Sequence, residues 1–177
     1  MTGISCWQVD AFTDRPFAGN PAAVCLLETE AATDWMQAVA AEMNLSDTSF
    51  VRPVKDGWEL RWFTPVAEVD LCGHATLATA HTLWTEGVVD PAEQIRFLTR
   101  SGWLTCRRDG NLLELDFPAL PASPADPPPE LLSALDAPTN YVGRSSCDYL
   151  VLLKDESALR NLQPDFRHLG KVQTRGV

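Results

Sequence analysis

The fold is decided by residues 61–87, RWFTPVAEVDLCGHATLATAHTLWTEG. The opening RWFT alternates in character and carries two aromatic side chains, which predicts a strand that Pro65 ends. Residues 75–84 are apolar or small on nearly every face, and a helix of this kind is buried on all sides instead of lying on a surface. We therefore predict a strand followed by a helix that fills a core, with Leu77 and Leu83 among the core residues.

Three residues that can contact a ligand, Cys72, Gly73 and His74, lie where this helix begins. A helix N-terminus has unpaired N–H groups and a partial positive charge, so it suits a carboxylate or a phosphate. Gly73 lets a ligand approach the backbone closely, and a thiol at a helix start, as at Cys72, has a lowered pKa. This pattern predicts a small-anion site; the alternative interpretation is a capped core helix with an incidental histidine.

Strands and one further helix are predicted around this central helix. Alternating or apolar runs bounded by turn residues predict strands at residues 4–12, 22–27, 50–54, 58–63, 95–99, 103–107 and 112–117. Tight turns join the last three of these strands into an antiparallel meander. Residues 34–43 have the spacing of an amphipathic helix, which should pack on the outside of the sheet.

The C-terminal third begins with a proline-rich segment. Residues 118–129 contain six prolines, a composition that disfavours helix and strand, so residues 118–139 are predicted to be a semi-rigid linker. Residues 140–177 then carry two strand patterns and, at 156–168, a helical pattern interrupted by a proline. We predict a full domain over residues 1–117 and a partial second domain over 140–177. The linker and the partial domain together are predicted to have too few residues to close a core of their own.

Charge and composition argue against several functions. The net charge of −10 argues against nucleic-acid binding, which needs clustered Lys and Arg. No apolar run of about 18 residues is present, so no membrane span is predicted, and the sequence leads from Met1 almost directly into a strand without a signal segment. The five cysteines are odd in number and form no Cys-x-x-Cys pair. They are therefore predicted to be reduced thiols in a cytoplasmic protein.

The remaining cysteines and the histidines give no sign of a metal site. The cysteines outside the helix start lie in apolar, strand-like runs and are predicted to be small core residues: Cys6, Cys25, Cys106 and Cys147. The three histidines have no carboxylate at metal-ligand spacing. No metal ligand is therefore predicted.

Three blocks of sequence carry a resemblance to a known family: VDAFTDRPFAGNPAAVCLL (9–27), MNLSDTSFV (43–51) and FTPVAEVDLCGHATLATAH (63–81). Together they resemble the first hairpin, the MNLSE-type segment and the central helix of the phenazine-biosynthesis isomerase (PhzF-like) family. The resemblance implies the α+β, diaminopimelate epimerase-like fold. In that fold two similar domains each wrap a curved, mostly antiparallel sheet round one central helix, and the active site lies in the cleft between them.

The resemblance also implies a chemistry. The family moves a carbon-bound proton on a small carboxylated substrate by acid–base catalysis and without a cofactor. Its catalytic Glu falls on Asp47, which is shorter by one methylene, and its cleft histidine falls on His74. Gly73 matches the backbone donor at the helix start, while Asn20, otherwise a plain turn residue, borders the substrate cleft. We therefore predict that Asp47 and His74 are catalytic and that Asn20, Cys72 and Gly73 bind substrate.

Two alternatives to an active PhzF-like isomerase stay open. The related diaminopimelate epimerases use two facing thiols; Cys72 fits the first, but neither Cys106 nor Cys147 lies at a helix start, as the second should. The other alternative is a non-catalytic protein that binds a small anion, because Asp47 replaces the family Glu and the second domain is incomplete.

Association with a second copy is also predicted. A partial second domain should leave strand edges and apolar side chains exposed, among them Leu150, Val151, Leu152 and Leu162. We therefore predict a homodimer that acts on a small carboxylate, without nucleic-acid or membrane partners.

Overall fold

The structure, a computed structural model, describes residues 3–177 and divides after Phe117 into two compact units. The strands of the first unit are β1 (Ser5–Ala11), β2 (Asn20–Leu26), β3 (Asp47–Val54), β4 (Gly57–Phe63), β5 (Glu68–Val69), β6 (Ile95–Thr99), β7 (Gly102–Asp109) and β8 (Leu112–Asp116). Its helices are α1 (Thr33–Met43) and α2 (Gly73–Thr85). Every strand and helix predicted in this part of the chain overlaps an observed one, and the two-residue β5 was not predicted.

The strands of the first unit form one sheet. Their order is β1-β2-β3-β4-β6-β7-β8, with β5 paired to β4. Most neighbours are antiparallel, as predicted, but β2 pairs with β3 and β4 with β6 in parallel. A parallel pair needs a crossover connection. Helix α1 makes the crossover between β2 and β3, and α2 makes the one between β4 and β6.

Helix α2 lies inside the curved sheet. It contacts β1 and β8, which are the two ends of the strand order, as well as β2 and β3. The sheet must therefore curl round the helix. Ala75, Ala78 and Leu83 are at most 1% exposed, and they pack on the inward side chains of the strands, among them Val24, Val51, Leu60, Trp62, Ile95, Phe97 and Leu104. The predicted helix at the centre of a curved sheet is confirmed.

The buried threonines of α2 are satisfied within the helix. Thr76, Thr79 and Thr82 each donate a hydroxyl hydrogen bond to the backbone carbonyl four residues earlier. A buried hydroxyl without such a partner would cost free energy. Back-bonding of this kind lets a helix that is rich in threonine fill an apolar core.

A second layer covers the outside of the sheet. Met36 and Ala40 of α1 pack against Cys25, Phe50 and Phe63, whose side chains point away from α2. Strands β2 and β3 are therefore covered on both faces. A strand covered on both faces has no need of polar alternation, which explains the continuous apolar run in β2.

The sheet leaves one side of α2 open. Strands β1 and β8 are its edges, and beside them lies a cavity of about 840 Å³ whose lining includes Leu77, His81, Arg108 and Leu113. Leu77 is only half-buried there, whereas Leu83 is 1% exposed. The prediction that both leucines are core residues is confirmed for Leu83 and wrong for Leu77, because local pattern does not reveal where the sheet stops.

The cysteines divide between core and surface. Cys25 and Cys106 are buried, as predicted, but Cys6 is exposed and Cys147 is partly exposed. The prediction of a core position is wrong for these two. Cys6 lies on an edge strand, where one side has no neighbour, and Cys147 lies in the turn before the next strand.

The second unit contains more regular structure than the sequence indicated. Its elements are β9 (Ser123–Pro124), α3 (Pro129–Leu135), β10 (Thr139–Arg144), β11 (Tyr149–Leu153), α4 (Glu156–Arg160) and α5 (Phe166–Leu169). The strands form an antiparallel sheet in the order β11-β10-β9. The helix predicted at 156–168 is two short helices, with the interrupting proline between them.

The prediction of a plain linker over residues 118–139 is wrong. Pro129 begins α3, because a proline is tolerated in the first turn of a helix, where its missing N–H would have no partner. Leu131 of this helix is fully buried and joins Leu135, Tyr149 and Val172 in a small apolar core. The prediction that this part of the chain could not form a core is also wrong, because α3 supplies apolar side chains to it.

The predicted exposure of four apolar residues in this unit is half right. Leu150 and Leu152 are 56% and 57% exposed on one face of β11, while Val151 and Leu162 pack against the small core.

Among the described residues, none of the helices has the length and apolar character needed to cross a bilayer.

The burial of α2 can be tested with two leucines of the same helix. Leu83→Ala should lower the free energy of unfolding by about 2–5 kcal/mol, because it leaves a cavity in the inner core. Leu77→Ala is the matched control and should cost clearly less, because that side chain is already partly exposed. Reversible denaturant unfolding measures both values. Equal losses, or a loss below about 0.5 kcal/mol for Leu83→Ala, would contradict the burial of α2.

Candidate active site

Asp47 and His74 come together because the turn after α1 and the turn before α2 lie at the same end of the sheet. Helix α1 ends at Asn44, which adopts the left-handed conformation with φ 51°, and Asp47 then begins β3. In the parallel register Ala22 of β2 lies beside Asp47. Cys72 is extended and precedes α2, so that His74 lies in the first helical turn.

Three of the five predicted site residues form a buried cluster. His74 Nε2 lies 3.8 Å from Asp47 Oδ2, which is within ion-pair range but longer than a hydrogen bond. Cys72 Sγ lies 3.4 Å from His74 Nδ1. Asp47 and His74 are each 9% exposed and Cys72 is 8% exposed. A carboxyl, a thiol and an imidazole therefore share one site that is largely shielded from solvent.

Ser46 is a member of this cluster that the sequence analysis missed. Its Oγ lies 3.1 Å from His74 Nε2 and 3.2 Å from both Asn20 Oδ1 and the carbonyl of Pro21. The hydroxyl thus links the start of β2 to the imidazole. Its position next to Asp47 in the MNLSD segment is the one sequence signal that could have identified it.

Asn20 and Gly73 lie at the margin of the cluster. Asn20 begins β2, is exposed, and reaches the imidazole through Ser46. A side-chain carbon placed on Gly73 would lie 3.8 Å from a ring carbon of Phe117, an ordinary contact. The protein itself therefore does not require glycine at this position, and close approach of a ligand remains a prediction.

Burial brings the pKa values of Asp47 and His74 closer together. Desolvation raises the pKa of the Asp47 carboxyl, against the opposing effects of His74 and the Cys72 thiol. Desolvation also lowers the pKa of His74, against the opposing effects of Asp47 and the Pro21 carbonyl. Each group is shifted toward its neutral form, so the free energy of moving a proton between them becomes smaller.

The prediction that the helix start lowers the pKa of Cys72 is wrong. Burial raises the pKa of its thiol to about 12, and Asp47 adds to the rise; the backbone amides of Ala75 and His74 act in the opposite direction. A helix N-terminus stabilises a negative charge by about 0.3–1 kcal/mol at an exposed site. Full desolvation can shift a pKa by about 3–5 units, which is the larger effect.

One oxygen of Asp47 has no hydrogen-bond partner. Among the residues that the structure describes, Asp47 Oδ1 is buried and receives no hydrogen bond. Leaving a buried acceptor without a partner costs about 1–3 kcal/mol, and more when the group is charged. Unsatisfied groups of this kind are rare in folded proteins and call for a functional explanation.

The same cluster offers ligands for a metal ion. The potential ligand atoms of Asp47, Cys72 and His74 all lie within 4.8 Å of one another, and carboxylate, thiolate and imidazole are ligand types that zinc accepts. Binding would require Cys72 to lose its proton, which its raised pKa opposes. The sequence predicted no metal ligand because the fold, and not the spacing along the chain, brings these side chains together.

Comparison with known proteins identifies close relatives over most of the chain. The family model described as phenazine biosynthesis-like protein, PhzC-PhzF, matches residues 9–177. A curated protein of Halalkalibacterium halodurans, described as an uncharacterized isomerase, is 50% identical over 172 residues. The match covers 97% of this chain and 65% of that relative. The chain thus spans less than two thirds of the length of this relative.

Solved structures agree with the fold. A phenazine biosynthesis protein of the PhzF family from Enterococcus faecalis superposes with a TM-score of 0.87 at 37% identity, over 97% of this chain and 65% of that one. A predicted epimerase from Pseudomonas aeruginosa, with a TM-score of 0.71 at 22% identity over 97% of this chain and 68% of that one, shares the fold. The predicted α+β, diaminopimelate epimerase-like fold is confirmed. With a family model that covers residues 9–177 and a relative of 50% identity, this chain belongs to the phenazine biosynthesis-like (PhzC-PhzF) family.

Proposed function

We propose that this chain carries the acid–base groups of an isomerase that moves a carbon-bound proton on a small carboxylated substrate. Asp47 is the proposed base and His74 its proton-exchanging partner. The observation that carries the proposal is the buried pair itself, with His74 Nε2 3.8 Å from Asp47 Oδ2 and Asp47 Oδ1 without a hydrogen-bond partner among the described residues.

The direction of the pKa shifts supports Asp47 as the base. A general base works best when its pKa lies near the working pH, and burial raises the pKa of this carboxyl from its usual acid range. The buried Oδ1 is an acceptor that no group among the described residues uses, and in the proposed mechanism it takes the substrate proton. His74, whose pKa burial lowers, is favoured in its neutral form and can accept a proton from the Asp47 carboxyl.

Cys72 is not the proposed base. Its thiol has a pKa raised to about 12, so it is protonated near neutral pH and is a poor nucleophile or base. Cys106, which does not lie at a helix start, is in the inner core with a pKa also raised to about 12. These environments disfavour two-thiol racemisation. The proposed role of Cys72 is to contact His74 Nδ1 and hold the imidazole in place.

The start of α2 is the proposed site for the substrate carboxylate. The first N–H groups of a helix have no partner within the helix and attract anions. Gly73 begins this helix without a side chain. Asn20 contacts the Ser46 hydroxyl, which also contacts His74 of this helix. A carboxylate bound there would place its neighbouring carbon near the Asp47 carboxyl, which is the geometry that proton abstraction needs.

Exchange of solvent deuterium into a panel of small carboxylates tests the proposal. Asp47→Asn keeps the size and removes the base, so exchange should fall by at least about a hundredfold. Asp47→Glu introduces the residue that the family resemblance assigns here and should keep or raise the rate, by up to about a hundredfold if reach is limiting. Cys72→Ser should change the rate little. Mass spectrometry of the recovered substrate measures each rate.

The matched control is Asp56→Asn, which makes the same change in the exposed turn between β3 and β4 and should leave exchange unaltered. An inactive Cys72→Ser variant together with an active Asp47→Asn variant would replace the carboxylate mechanism by the thiol one. If the wild type exchanges no proton but a small carboxylate raises its melting temperature, the protein is a binder of small anions.

The electrostatic cost of Asp47 gives a second, independent test. The pKa of Asp47 is raised in the folded state, so its contribution favours folding at low pH and is lost as the pH rises through the folded pKa. Asp47→Asn should therefore be more stable than the wild type at pH 8, by about 0.5–2 kcal/mol. The difference should shrink as the pH falls toward the ordinary Asp value of about 3.9.

Chemical denaturation across this pH range measures the difference, with Asp56→Asn as the control that should show no such trend. A variant less stable than the wild type at pH 8, or a stabilisation that grows on acidification, would show that Asp47 is not held as a desolvated carboxylate.

We also propose that the protein is a cytoplasmic dimer. All five cysteines are free thiols, which suits a reducing compartment. Leu150 and Leu152 expose more than half of their surface on one face of β11, the end strand of the smaller sheet. Adjacent exposed leucines on an end strand favour association with another copy.

Sedimentation at micromolar concentration should therefore show a dimer, and the double change Leu150→Lys with Leu152→Lys should shift it toward monomer. Leu159→Lys, at a residue of α4 that is 62% exposed, is the control and should not. A compact wild-type monomer would contradict the dimer.

A further inference from the structure

Cys6 and Cys25 face each other across the first two strands. They are direct partners in the antiparallel register of β1 and β2. Their sulfur atoms lie 3.3 Å apart, and the Cys25 thiol donates a hydrogen bond to the sulfur of Cys6. This pair lies outside the cluster of Asp47 and His74, and the proposed proton transfer does not use it.

The backbone already has the spacing that a disulfide needs. Directly opposed residues of an antiparallel pair have Cα atoms about 4.5–5.5 Å apart, and disulfides join residues whose Cα atoms are about 4.4–6.8 Å apart. The two side chains also point toward each other, with their sulfur atoms 3.3 Å apart.

The two thiols differ in access and in protonation. Cys6 is exposed, whereas Cys25 is 2% exposed beneath α1. The hydrogen bond from Cys25 is the main reason that the pKa of Cys6 is lowered to about 7. The same hydrogen bond raises the pKa of Cys25, and burial adds to the rise. An accessible thiolate beside a protonated, sheltered thiol is the arrangement of an attacking and a resolving cysteine.

We propose that Cys6 and Cys25 are a reversible modification site, at which a small-molecule disulfide of the glutathione class oxidises the pair to an intramolecular disulfide. Cys6 attacks, because it is the member of the pair that an oxidant can reach. Cys25 resolves, because its sulfur lies 3.3 Å from that of Cys6.

The reaction balances in two exchange steps. The Cys6 thiolate attacks one sulfur of the oxidant, which forms a mixed disulfide and releases one small thiolate. Cys25 then gives up its proton and attacks the Cys6 sulfur, which forms the Cys6–Cys25 bond and releases the second thiolate. Two electrons pass from the protein to the oxidant, and the two protein thiol protons end on the two released small thiols. An excess of reduced thiol reverses both steps.

The bond would attach an edge strand to its neighbour. Among the described residues 3–177, strand β1 pairs with β2 alone, and it also contacts α2. A disulfide there closes a loop of about 20 residues and restricts the unfolded chain, which stabilises the folded form. Asn20 lies at the opposite end of β2, so the oxidised protein should keep the arrangement of the candidate active site.

The test is exposure of the purified full chain to oxidised glutathione, followed by free-thiol counting and non-reducing peptide mapping. The wild type should fall from five free cysteines to three, because two are joined, and its mass should fall by that of two hydrogen atoms. Mapping should join the peptides of Cys6 and Cys25. Because Cys147 is also partly exposed, the same measurement is repeated in a Cys147→Ser background.

Two variants separate the roles of the pair in that background. Cys25→Ser removes the resolving thiol and should trap one glutathione on Cys6, whereas Cys6→Ser should take up none. The oxidised wild type should melt at a higher temperature than the reduced protein, and Cys6→Ser should show no such difference. Five remaining thiols, a lasting glutathione adduct on wild-type Cys6, or a bond between other cysteines would each overturn the proposal. Should Cys25→Ser fail to fold, the wild-type peptide map decides alone.

Discussion

Enclosure of α2 is the constraint on which the rest of the first unit depends. The helix has 13 residues, nine of them buried, so the polar groups of these nine must be satisfied within the protein. Its own backbone and the back-bonded hydroxyls of Thr76, Thr79 and Thr82 satisfy them. Small side chains such as Ala75 and Ala78 let the strands come close. The sheet curls because strands from both of its ends must reach the same helix.

The candidate site is a consequence of this enclosure. The sheet brings the start of α2 close to the start of β3. The packing that shields α2 from water also shields Asp47 and His74. Desolvation is therefore the first cause of both pKa shifts. It also decides the state of Cys72, for which the helix N-terminus acts in one direction and burial in the other. Burial wins because desolvation of a charge outweighs the field at the end of one helix.

The cysteines show how strongly position in the sheet determines thiol chemistry. Cys72 and Cys106 are each enclosed by the first unit, and burial keeps their thiols protonated. Cys6 has water on one side and a hydrogen-bond donor, Cys25, on the other, so its thiolate is favoured. The same residue type thus gives an inert core group in one place and a reactive pair in another.

The sequence by itself determined the two helices and the longer strands of the first unit. The apolar run after His74 predicted a buried helix, alternation predicted the strands, and the resemblance of three blocks led to the prediction that Asp47 and His74 are catalytic. These features are local, since they depend on residues near one another in the chain. Only the tertiary structure decided that Ser46 joins the site, that Leu77 faces an open side of the sheet, and that Pro129 begins a helix. Strand order and burial depend on contacts between distant residues. A local pattern therefore does not show where a side chain such as Leu77 will lack a covering strand.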